Sequence, residues 1–198
     1  MKRSVLVAIL LMIALSAAAA NAAVYTFTPV PKDLGDLDHT RYYKWGINWT
    51  HTDETIIGAT LKIFNIYDWQ PEVDSLYIHL LNSPPLGVTS YYDNQGGYDN
   101  FSGVGKWVAT WSDPYGSSSH KANLTYDLGA LGLLSDVQTY AADGLFGFGF
   151  DPDCHYYNDS IQVCITTEST PPSVPEPSVL SMLGLGLTGI ALYMRRKK

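Results

Sequence analysis

Apolar residues recur at every second position in a series of short runs, and turn residues close each run. Tyr43, Trp45, Ile47 and Trp49 share one parity, with Lys44, Gly46 and Asn48 on the other. In Ile56 to Tyr67, Ala59, Leu61 and Ile63 define one face. Leu76, Ile78 and Leu80 alternate with Tyr77 and His79; Trp107, Ala109 and Trp111 alternate with Val108 and Thr110. Leu124, Tyr126 and Leu128 repeat the pattern, Phe146, Phe148 and Phe150 alternate with glycines, and Ile161, Val163 and Ile165 close it. With Tyr25 to Thr28 at the start, the pattern predicts about eight half-buried strands.

One segment has helical signals. Ser135-Asp136-Val137-Gln138 fits a capping box, and Gly144 follows Ala141-Ala142-Asp143 as a stop, so a short crossover helix is expected. Asp93-Asn94-Gln95-Gly96-Gly97 reads as a polar loop. Eight one-sided strands make an all-β, two-sheet antiparallel sandwich; a jelly roll is the first expectation and an immunoglobulin-like sandwich the second. No repeat of propeller or solenoid type is present.

The two ends depart from this pattern. Lys2 and Arg3 precede an apolar run from Val5 to Leu15, and Ala20-Asn21-Ala22 fits a small-x-small cleavage site. Residues 1–22 therefore read as a signal peptide, in preference to an N-terminal anchor, because the apolar run is short and a cleavage site follows it directly. Residues 23–168 form the β domain, and 169–177 a Pro/Ser-rich linker, STPPSVPEP. Ser178 to Met194 gives 17 residues without a charge, at the short limit for a membrane helix, and Arg195-Arg196-Lys197-Lys198 follows at once. Residues 178–198 are thus expected to form a transmembrane anchor with its basic end in the cytoplasm and the β domain outside. A buried C-terminal helix fits the proline linker and the basic end poorly.

Charge sharpens the division. Six basic residues against eighteen acidic ones leave the stretch 23–172 at −12, while the whole chain stands at −7. A domain so acidic repels nucleic acid and anionic membrane surfaces. Export would put Cys154 and Cys164 in an oxidising compartment, where a disulfide is expected. A bridge across a hairpin would place Phe150 and Cys154 opposite the face of Ile161, Val163 and Ile165, so a bulge is expected at Asp151-Pro152-Asp153.

Catalytic motifs are absent: there is no GxSxG, HExxH, phosphate-binding loop or dinucleotide fingerprint. The five histidines have no metal spacing. Calcium is the specific metal hypothesis, with Asp33, Asp36 and Asp38 before the first long strand and Asp151 and Asp153 after the Phe strand, because Ca²⁺ takes hard oxygens held by loops. Solvated turn aspartates explain the same residues without a metal. Tyr91, Tyr92, Tyr98, Tyr156 and Tyr157 are candidates for stacking on sugar rings, beside Tyr115. Paired carboxylates for glycoside hydrolysis are a third class, and many pairs exist.

The tail resembles the PEP-CTERM sorting signal of exported bacterial proteins. Pro175-Glu176-Pro177, the apolar segment Ser178–Met194 and a basic cluster that includes Arg195 and Arg196 carry the resemblance, in that order at the C-terminus. It implies an exosortase as partner, cleavage near the PEP motif, an inner-membrane precursor, and release or attachment at the surface of a host that makes extracellular polysaccharide. The expected protein is an exported, non-enzymatic surface or matrix component that contacts polysaccharide. The alternatives are a calcium-stabilised structural module without its own glycan ligand and, third, a glycoside-acting enzyme.

Overall fold

The structure is a computed structural model that describes residues 22–70, 74–93 and 97–168, together with Arg195. Asn21–Ser169 forms one unit. Its strands are β1 (Ala22–Phe27), β2 (Arg41–Asn48), β3 (Thr55–Asp68), β4 (Leu76–Asn82), β5 (Gly87–Tyr92), β6 (Lys106–Trp111), β7 (Ala122–Asp127), β8 (Leu145–Pro152), β9 (Tyr156–Tyr157) and β10 (Ser160–Glu168). Helix α1 (Leu134–Ala141) lies between β7 and β8. Sheet I has the order β1-β10-β3-β7, with β9 also on β3; sheet II has the order β5-β2-β8-β4-β6. All strand pairs are antiparallel.

The two sheets bury one shared core. Sheet I supplies Ala59, Leu61, Ile63, Ile161, Val163 and Ile165; sheet II supplies Tyr43, Trp45, Ile47, Ile78, Leu80, Phe146, Phe148 and Phe150. These are the parities expected from the alternation, and removing this much apolar surface from water is the main force that joins the sheets. The glycines between the phenylalanines have a role of their own. They sit on the outer face of sheet II, where a Cβ on Gly149 would stand 2.6 Å from the Phe101 ring and one on Gly147 2.0 Å from the Trp45 carbonyl. Asn100 and Phe101, in the β5–β6 connection, therefore lie against the sheet, with Phe101 fully buried over Gly149.

Four expectations are corrected. The helix forms, but no side chain caps it: Leu133 is at the N-cap and Ser135 is already helical. Gly144 does follow the helix, with φ +89°, and its N–H donates to the Ala141 carbonyl. The Cys154–Cys164 disulfide does not form, and both thiols are free. Its premise fails because β8 pairs only with β2 and β4, while β10 pairs with β1 and β3 in the other sheet. The two apolar sets reach one core from opposite sheets, so no bulge is needed, and β8 runs in unbroken register with β4 through Leu76 and Pro152. Bulges occur elsewhere. One at Val108 turns Trp107 from the expected core parity to the outer face, where it pairs with His79 and is 59% exposed. Another, between Ile63 and Ile66 with Asn65 at φ +52°, switches the core parity of β3, so that Ile66 and Asp68 both point inward.

Among the described residues no helix is long and apolar enough to cross a membrane. The expected span, 178–194, lies outside the described residues, as do Pro175, Glu176, Pro177 and Arg196; Arg195 is exposed.

Candidate functional site

The outer face of sheet II brings aromatic and acidic groups together. Its edge strand β5 places Tyr91 opposite Tyr42 of β2, and the rings stack at 5.2 Å with planes 17° apart. Lys44, two residues along β2 on the same face, sets its ammonium 5.0 Å from the Tyr91 ring centre. Tyr42 meets Phe101 edge-on at 5.5 Å, and Phe101 lies 5.6 Å from the His79 ring of β4. Trp107 of β6 stands opposite His79. An aromatic row thus crosses sheet II from one edge strand to the other. Its two ends, Tyr91 and Trp107, are exposed, while Phe101 is buried at the centre.

Carboxylates accompany this row. Asp99 accepts or shares a hydrogen bond with His79 Nε2 at 2.9 Å, and its other oxygen accepts from the Phe101 N–H. Asp151 is fully buried; the Asn100 N–H donates to its Oδ2, and its Oδ1 has no partner. Burial pushes the Asp151 carboxyl up to about 6, opposed by the Asn100 hydrogen bonds and reinforced by Asp93 and Asp99. Asp153 is raised too, by burial first and then by Asp74, with Tyr77 hydrogen bonding against the shift.

Asp33, Asp36 and Asp38 do not join Asp151 and Asp153. Asp33 accepts from the Gly35 N–H and Asp38 from the Thr40 N–H and hydroxyl, which is turn chemistry. The Asp38 carboxylate instead lies within 4.8 Å of ring nitrogens of His39 and His155, and Asp36 lies near His155, its carboxyl raised by burial and by Asp33. The predicted tyrosines also separate. Tyr91, Tyr92 and Tyr98 are exposed on β5 and the connection after it, with Arg41 over the Tyr92 ring at 4.7 Å. Tyr156 is wholly buried against Trp111, which removes it as a stacking surface, and Tyr157 stacks on Tyr67 at the β3–β9 pair.

Beneath β9 is a second polar cluster that the sequence did not disclose. Asp68, at the end of β3, is fully buried; the Cys154 thiol donates to its Oδ1 at 3.0 Å, and its Oδ2 has no partner. The Trp69 indole N–H donates to Cys154 Sγ at 3.2 Å. Asp113 accepts from the Asp68 N–H at 3.0 Å. Burial and then Asp68 push the Cys154 thiol up to about 12. The Tyr156 hydroxyl is buried without a partner, and Asp68, Asp74 and Cys154 all act on it. A cleft of about 210 Å³ is lined by Trp49, Glu54 and Gln138 among others. Glu54 is already engaged there by Tyr25 and Thr167, whose hydroxyls hold its carboxyl below the usual range.

Residues 173–197 match the PEP-CTERM protein-sorting motif. The tail is therefore a sorting signal, and it marks the chain for export and for processing by an exosortase. No curated protein matches the chain. Among solved structures, it is similar to a latent aurone synthase (polyphenol oxidase) at 9% identity and a TM-score of 0.46, over 77% of this chain and 29% of that one. It is similar to the structure of tomato aspermy virus at 10% identity and a TM-score of 0.27, over 82% and 84% of the two chains. A mitogen from Yersinia pseudotuberculosis is matched at 11% identity and a TM-score of 0.23, over 80% and 93%.

Proposed function

We propose that this protein is a non-enzymatic component of the cell surface or extracellular matrix, and that its β-sandwich contacts polysaccharide across the outer face of sheet II. The observation that carries this reading is the stacked Tyr42–Tyr91 pair at the exposed edge, continued by the aromatic row to Trp107. Sugar rings present apolar faces that stack on such surfaces, while carboxylates and amides take the hydroxyls. Asp99 and Lys44 supply polar groups beside the row. The sandwich is read as a jelly roll: with β5 and β9 set aside, the remaining strands alternate between sheets in chain order from β1 to β4, and β8 and β10 return between them. The 178–194 segment is read as a membrane span that holds the precursor in the inner membrane before sorting.

Affinity electrophoresis of the intact chain through gels containing acidic or neutral bacterial polysaccharides tests this. Retardation by one class is expected, with loss in Tyr91→Ala and Trp107→Ala at unchanged melting temperature. Equal retardation of the variants, or none for the wild type, defeats the reading. The second reading is a calcium-stabilised module, favoured by the buried, unpartnered Oδ1 atoms of Asp151 and Asp153. A rise in melting temperature with Ca²⁺, reversed by chelator and absent in Asp151→Asn, supports it.

A further inference from the structure

We propose that Asp68, Asp74 and Cys154 form a site for a thiophilic divalent cation of the Zn²⁺ class, which clasps the two sheets together. The three side chains come from the end of β3, the segment entering β4 and the turn after β8. Their ligand atoms all lie within 4.8 Å of one another, and Sγ of Cys154 stands 3.0 Å from Asp68 Oδ1. A four-coordinate cation with oxygen at about 2.0 Å and sulfur at about 2.3 Å needs ligands some 3–4 Å apart, so only a small contraction is required.

Two further observations point to a ligand at this place. Asp68 is fully buried, yet its Oδ2 accepts no hydrogen bond. The hydroxyl of Tyr156, the register partner of Asp68 in the β3–β9 pair, is also buried and unpartnered, and Asp68, Asp74 and Cys154 all act on it electrostatically. Two buried oxygens without a partner beside one thiol are costly unless something binds them. A sulfur ligand with carboxylates selects a borderline cation over Ca²⁺, which prefers six or more hard oxygens. On binding, the Cys154 S–H bond gives its proton to solvent and the sulfur lone pair forms the metal bond; no oxidation occurs. Tyr156 Oη or a water completes the shell. Because β3 belongs to sheet I and β8 to sheet II, the ion supplies the cross-tie that the missing disulfide would have made.

Co²⁺ is the probe. The intact, chelator-treated chain is titrated with Co²⁺ and followed by near-ultraviolet absorption, then with Zn²⁺ as competitor. One equivalent is expected to bind with a sulfur-to-cobalt charge-transfer band that Zn²⁺ abolishes. The band is expected to vanish in Cys154→Ser, to weaken at least tenfold in affinity in Asp74→Asn, and to persist in Cys164→Ser. Asp74 is only half-buried, so that variant tests the site even if Cys154→Ser fails to fold. No band in the wild type, a band retained in Cys154→Ser, or unchanged affinity in Asp74→Asn overturns the proposal. So does stabilisation by Ca²⁺ alone.

Discussion

Replacing Asp151 by asparagine should change how stability depends on pH. Asp151 is fully buried on β8, and its carboxyl titrates at about 6 in the folded chain against an ordinary value of 3.8. A carboxyl raised by folding keeps its proton longer in the native state. Stability is therefore greatest below the unfolded value and falls as pH rises from there through the folded value. At about 1.4 kcal/mol per unit, the ionised group costs the fold about 3 kcal/mol once the pH is above 7, and about 1 kcal/mol at pH 4.5. Asparagine keeps an acceptor for the Asn100 N–H and carries no charge, so it imitates the protonated acid. Wild type minus variant should thus become about 2 kcal/mol more unfavourable between pH 4.5 and pH 7.5, or about 4–8 °C in melting temperature for a domain of this size. The charged and titratable groups that act on Asp151 or stand opposite it are Asp93, Asp99, Tyr42 and Tyr77. Both proteins contain them, so the difference removes the part of their titration that does not depend on the Asp151 charge. Urea unfolding of both proteins in chelator, followed by tryptophan fluorescence at the two pH values, measures it. Parallel stability curves, with the same difference at both pH values, would refute the reasoning, because folding would then not raise this carboxyl at all.

Other consequences can be checked as directly. Gly147→Ala places a Cβ on the backbone carbonyl of Trp45 inside the central strand pair, where nothing flexible can yield; a loss above about 3 kcal/mol is expected in denaturant unfolding. Reductant should leave the melting temperature of the chelator-treated protein within about 1 °C, since Cys154 and Cys164 are free thiols on different parts of the sandwich; a drop of several degrees would reveal a bridge. Changing Pro175, Glu176 and Pro177 to alanine should leave a full-length precursor in inner-membrane fractions without altering the circular dichroism of the β domain. Normal mass of the secreted form in that variant would sever the motif from processing.

Phe146, Phe148 and Phe150, like Ile161, Val163 and Ile165, were legible as core because alternation is local: side chains two apart on a strand must share a face. The sorting tail was legible for a similar reason, since its proline linker, apolar run and basic end are read in linear order. Strand partners were not legible. The hairpin implied by two cysteines ten residues apart pairs segments that belong to different sheets, and only the closed sandwich assigns β8 to β2 and β4. Parity also fails wherever the chain bulges. Trp107 reads as core and lies outside because Val108 is an extra residue opposite the Ile78–His79 step. Asp68, which no sequence pattern singles out, lies inside because Asn65 turns β3 over. The acidic and aromatic face around Asp99, Phe101 and Asp151 arises from a loop folded onto glycines, a contact between residues about fifty apart in the chain. The sequence by itself determined the class of fold, the faces of its regular strands and the address of the protein. Tertiary structure decided which sheet each strand joins and which polar groups meet, because pairing and bulges depend on residues far apart in the chain.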